Sequence, residues 1–147
     1  MEEEHEELHA ELAKATKIRG KVGDAAKRVA EVLHPHFENE NEFALPVIGV
    51  ARELVEGKTS PDFDKALELH DRFKAEYEKM LQEHVEIVKT LDLLGNVAKT
   101  CKKKDVVEFV RKLKNHAKIE EDLTYPAVLM VGKLLKQTQA SASVRST

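Results

Sequence analysis

The chain has 147 residues with 24 basic and 27 acidic side chains, one Cys and no Trp. This is the size of one domain, long enough to bury about two-thirds of its unfolded surface without cross-links, and a lone Cys101 excludes both a disulfide scaffold and a thiolate zinc site. The net charge of −3, with both signs intermixed, leaves no footprint for nucleic acid, and the longest apolar runs fall far short of the roughly 20 residues that span a bilayer, so neither partner is expected.

The N-terminus opens on Glu2, Glu3 and Glu4 and lacks the basic and apolar stretches of a secretory signal. With the single thiol, this points to a soluble, cytoplasmic chain. Gly and Pro are scarce while Glu, Lys, Leu and Ala abound, which favours helix throughout. The breakers then predict four helices, over residues 2–19, 24–57, 61–94 and 105–137, within one domain of residues 1–138. Gly20 and Gly23 bracket the first joint, Gly57 and the Ser60-Pro61 pair the second, and Gly95 the third, with Asp105 and Glu108 spaced as a capping box. Residues 139–147, mostly Ser, Ala and Thr, read as a disordered tail. The expected architecture is all-α, an up-down antiparallel four-helix bundle.

Pro35, Pro46 and Pro126 interrupt helical patterns, where each removes a backbone hydrogen bond. Two of them belong to a repeat. His36, Glu40 and Pro46 have the same offsets as His116, Glu120 and Pro126, and the strings Glu4-His5 and Glu83-His84 lie 31 and 32 residues upstream of His36 and His116. Four of the seven histidines thus occupy matched positions.

Helical geometry points the matched residues inward. His36 and Glu40 share a stripe with Val29, Leu33, Phe43 and Val47; His116 and Glu120 share one with Phe109, Leu113 and Val131; His84 lies in line with Phe73, Met80 and Leu91. On the first helix His5 and His9 straddle the stripe of Leu8 and Leu12. A buried ionised carboxylate must be paired, protonated or coordinated. Two metal-free His–Glu pairs would satisfy the pattern, but a cation answers all the groups together, and nitrogen plus carboxylate donors suit iron, manganese or zinc. A ferritin-like site does not fit, because the third and fourth helices carry no inward Glu-x-x-His. His34, expected at the solvent, and His70, about 21 Å along its helix from His84, stand apart.

Glu4-His5-x-x-Leu8, His36-x-x-x-Glu40 running to Pro46, Glu83-His84-x-x-Ile87 and His116-x-x-x-Glu120 running to Tyr125-Pro126 together resemble the hemerythrin-like, or HHE cation-binding, family. The resemblance implies a four-helix bundle holding two non-haem Fe ions. His5, His36, His84 and His116 would be terminal ligands, and Glu40 and Glu120 the bridging carboxylates. The chain lacks the third-helix His-x-x-x-His pair of the oxygen carriers, having Met80 and Val88 there, and lacks their last-helix His-x-x-x-x-Asp; instead His5 and His9 have the former spacing on the first helix. His9 is therefore a candidate seventh ligand. With two octahedral ions sharing both carboxylates and one bridging oxygen, as the resemblance implies, ligation by His9 leaves one position open, and its absence leaves two.

One open position suits binding of dioxygen or another small diatomic for storage, sensing or scavenging, which is the first expectation. Two allow a redox enzyme that reduces peroxide or oxidises iron. A zinc-bound or metal-free bundle that recruits a partner is the third alternative.

Overall fold

The computed structural model describes residues 2–145. Four long helical rods follow one another. They are α1 (Glu2–Thr16), α2 (Lys21–Phe43), α5 (Phe63–Thr100), and α6 (Lys104–Ile119) continued through a π-helical turn (Glu120–Thr124) into α7 (Tyr125–Arg145). Two short helices, α3 (Leu45–Ile48) and α4 (Ala51–Val55), connect α2 to α5. Successive rods pack on one another and α1 closes against α6, giving the expected all-α, up-down bundle. Among the described residues no helix is long and apolar enough to cross a membrane.

Several boundaries depart from the sequence expectation for identifiable reasons. The second helix does not run to residue 57. Pro46 has no N–H to continue the ladder, Ala44 leaves the helix, and the chain proceeds in the two short pieces α3 and α4. Pro126, at the matching place in the repeat, is instead absorbed by widening one turn to π, so the rod remains continuous. Gly95 does not end the third helix; α5 runs on to Thr100, and a Cβ at Gly95 would lie 3.4 Å from Val110 Cγ1, so the glycine lets α5 and α6 approach closely. Asp105 and Glu108 form no capping box, as α6 has no side-chain cap and Glu108 bonds Arg111. The tail expected from residue 139 is helical to Arg145, since no Gly or Pro follows Gly132 to stop a helix of Ala, Ser and Gln; residues 146–147 lie outside the described ones.

The interior divides into two apolar clusters. One, around Leu8, Leu12, Val29, Leu33, Leu91, Leu94, Phe109 and Leu113, is enclosed by α1, α2, the second half of α5 and α6. The other, around Phe43, Val47, Phe73, Met80, Tyr125, Val128 and Leu135, is enclosed by α3, α4, the first half of α5 and α7. Between them lies a layer of buried polar side chains, to which each of the four rods contributes.

A buried histidine and glutamate cluster

His5, His36, His84, His116, Glu40 and Glu120 are all buried, none more than 4 % exposed. They form two overlapping groups, His5, His116, Glu40 and Glu120 in one and His36, His84, Glu40 and Glu120 in the other, with ligand atoms in each group within 4.8 Å of one another. Both carboxylates therefore belong to both groups. The matched i,i+4 spacing on α2 and α6 produces this, since each His–Glu pair stacks on one helix face and the two faces meet across the bundle.

The hydrogen bonds settle which ring nitrogens point where. His116 Nδ1 donates to Glu4 Oε1 at 2.9 Å, His84 Nδ1 to Glu121 Oε1 at 2.9 Å, His36 Nδ1 to Glu83 Oε1 at 3.3 Å and His5 Nδ1 to Asn41 Oδ1 at 3.2 Å. Because these oxygens only accept, each Nδ1 carries a proton and each Nε2 is turned inward. The inward nitrogens face each other, His5 against His116 at 3.0 Å and His36 against His84 at 2.9 Å. They also face carboxylate oxygens, with Glu40 Oε2 3.3 Å from His5 Nε2 and Glu120 Oε2 3.3 Å from His116 Nε2. His36 Nε2 and Glu40 Oε1 are in direct contact.

Neutral imidazoles would here oppose lone pair to lone pair. Glu40 Oε2 and Glu120 Oε2 are buried without a hydrogen-bond partner, an arrangement that costs several kcal/mol unless positive charge sits among them. Without a metal, protons supply that charge. Burial pushes His5 and His84 down, but hydrogen bonds to Glu120 and Glu40 outweigh it and raise them to about 9 and about 10. His116 is raised likewise, burial being outweighed chiefly by Glu120. Glu40 is held well below the usual carboxylate range, since its burial is outweighed by hydrogen bonds within the cluster. Divalent cations would replace those protons with the same donors, so the residues present fit a metal pair.

Tyr125 also enters the cluster. Its hydroxyl donates to Glu40 Oε1 at 2.6 Å and lies 3.1 Å from His84 Nε2 and 3.2 Å from His36 Nε2. Burial and then the negative charge of Glu40 raise the phenol far above its ordinary value, so it remains protonated. In the sequence Tyr125 stood out only as the residue before Pro126. The acceptors Glu4, Glu83, Glu121 and Asn41 were likewise not assigned from the sequence, although each adjoins a cluster residue.

His9 is not brought to the cluster. One turn beyond His5, its ring turns to the seam between α1 and α2, edge-on to Phe37 at 5.0 Å and to His34 at 4.7 Å between ring centroids. Phe37 stacks on His5 at 4.0 Å and occupies the interior there. The structure thus groups six of the seven expected ligand residues and leaves His9, the candidate seventh, apart from them. His34 is exposed beside Glu38, as expected. His70 lies away from the cluster but is buried, its ring filling the space that a Cβ on Gly132 would need.

The family model of the hemerythrin HHE cation binding domain matches residues 1–128. Comparison with curated proteins and with solved structures found no significant match.

Proposed function

We propose, on the premise that this chain belongs to the hemerythrin HHE cation-binding domain family, that its cluster holds two iron ions and catalyses reduction of a small oxidant, dioxygen or peroxide, to water with electrons and protons drawn from an external reductant such as a thiol or a reduced electron carrier. The observation that carries this reading is that Glu40 and Glu120 each belong to both donor groups, so that two cations would share both carboxylates. Imidazole and carboxylate without thiolate suit iron, which when bound supplies Lewis acidity and one-electron redox chemistry.

The chain's own residues would divide the work. His5 and His116 would hold one ion, His36 and His84 the other, with Glu40 and Glu120 between them. Glu4, Glu83, Glu121 and Asn41 fix the imidazole tautomers by accepting from Nδ1. The six cluster residues are themselves buried, none more than 4 % exposed, with Phe37 stacked on His5, so bulk water is kept from them and small ligands are favoured over bulky ones. Tyr125 Oη holds a proton on the His36 and His84 side alone. His9, remaining outside, would leave two positions open, and this favours redox turnover over reversible carriage of a diatomic at a single terminal position.

Metal analysis of protein purified without metal-affinity steps is expected to give about two irons per chain, and the loaded protein, supplied with a thiol or other reductant, is expected to consume peroxide catalytically and the reductant with it. Reversible uptake of dioxygen without turnover would replace the redox reading with a carrier. Zinc alone at full occupancy would refute both.

A further inference from the structure

The outer side of the fourth rod carries an apolar row that the bundle does not cover. Ile119, Leu123, Met130 and Leu134 are 44, 67, 63 and 44 % exposed. Ile119, Leu123, Met130 and Leu134 follow one another at i, i+4, i+11 and i+15 and so share one stripe of the rod, while Glu120, Thr124, Val128 and Leu135 face the interior. Half-buried Pro126 and Ala127 fill the middle of the row, and exposed Asn115 and Thr138 terminate it. From Ile119 to Leu134 the row is about 22 Å long.

Its order is the same from either end. Taken outward from the midpoint between Pro126 and Ala127, Leu123 matches Met130, Ile119 matches Leu134 and Asn115 matches Thr138, each pair equidistant from that point. A two-fold axis through the midpoint would lay an antiparallel copy of the row on itself, with large side chains opposite large ones and the small centre allowing the helices to close. The charges beside the row agree with this. Asp122 and Lys133 lie on one flank, and in an antiparallel pair each flank meets itself, so Asp122 would lie beside the partner's Lys133. Lys133 has no ion-pair partner among the described residues, whereas Asp122 has only the exposed Lys118, at 3.0 Å.

We propose that the occupant of this face is a second copy of the chain, in a two-fold dimer with the α7 helices antiparallel. One helix pair buries less than the roughly 800 Å² per partner of a standard interface, so the dimer dissociates on dilution. Sedimentation of the full chain over a concentration series tests it. The wild type should shift from monomer to dimer, and Leu123→Glu should weaken association by about tenfold or more. Because Leu123 is largely exposed, that variant should retain its helical signal and melting temperature. Asp122→Lys and Lys133→Asp should each weaken association, and the double reversal should restore it.

Cross-linking fixes the orientation. In a Cys101→Ser background, Ala127→Cys should oxidise to a covalent dimer, and Leu123→Cys mixed with Met130→Cys should cross-link when neither does alone. A monomer at every concentration, or a dimer indifferent to Leu123→Glu, would overturn the proposal. Self-cross-linking of Ile119→Cys as fast as that of Ala127→Cys would show a parallel pairing and overturn the two-fold arrangement.

Discussion

The two halves of the buried cluster are built from one repeated string but differ in the residues just behind it. In the half with His5 and His116, Phe37 stacks on His5 and the acceptor behind His5 is the neutral amide of Asn41. In the half with His36 and His84, the hydroxyl of Tyr125 reaches both rings and the acceptor behind His84 is the carboxylate of Glu121. The repeat positions of Phe37, Asn41 and Tyr125 are Ala117, Glu121 and Leu45, so none of these three features is duplicated. The side chains that could hold a cation are thus alike in both halves, while the groups behind them are not. A histidine backed by a carboxylate is the more basic ligand, so the His36 and His84 half is expected to bind its ion more tightly, with a proton donor beside it.

The strongest way to break the comparison is to remove what the halves share. Replacing Glu40 or Glu120 by Gln takes a carboxylate from both groups at once and leaves a buried amide among inward imidazoles. Either variant is expected to fall from about two ions per chain to less than one. Replacing His34 or His70 by Ala should leave metal content unchanged. Loss confined to one ion in both Gln variants would show that each carboxylate serves a single cation.

Removing the difference behind the rings comes next. Glu121→Gln leaves His84 Nδ1 a neutral acceptor and makes its half resemble the other. It should weaken the tighter of the two binding steps by about 10–100-fold in a calorimetric titration, the range found when the partner of a ligating histidine is changed. Asn41→Ala should affect only the weaker step.

The sequence made the residues of the buried cluster legible and the groups behind them illegible, for a geometric reason. His36, Glu40, His116 and Glu120 could be assigned because an i,i+4 pair lies on one helix face and its repetition marks that face as special. The four long rods emerged from the same apolar periodicity. Glu4, Glu83, Glu121 and Asn41 sit one residue from a cluster member, about 100° around the helix, and each bonds a histidine of a neighbouring rod. Such bonds depend on which rods adjoin and at what height, which no single helical wheel contains. The repeated Glu-His dipeptides at Glu4 and Glu83 were the available signal. The different fates of Pro46 and Pro126 were likewise hidden, because the outcome depends on residues further along the chain. After the first proline the chain reaches Gly57, which turns with a φ of 72°, whereas Gly132 after the second lies within α7.

A smaller effect should come from Tyr125→Phe, which removes one hydroxyl from one half. In the metal-free protein the lost bond to the Glu40 carboxylate should cost about 1.5–3 kcal/mol in denaturant unfolding. The imidazole resonances of His36 and His84 should shift more than those of His5 and His116. Equal shifts in all four would mean that Tyr125 acts through the shared carboxylate rather than on its own half.

The smallest expected effect belongs to His9, and it sharpens the comparison because the repeat would otherwise tempt one to complete the His5 half with a further ligand. The ring lies beyond Phe37, whose stacking on His5 blocks the approach, and it meets His34 at the half-buried seam of α1 and α2. Burial and then the neighbouring His34 lower its pKa, whereas the cluster carboxylates raise those of His5 and His84. Two imidazoles four residues apart on α1 are thus displaced in opposite directions from the ordinary histidine value, because only one points at Glu40 and Glu120. His9→Ala is therefore expected to leave metal content, optical spectrum and oxidation rate unchanged. A lost ion or a faster oxidation in that variant would place His9 on the His5 cation, and would return the preference to reversible binding at a single open position.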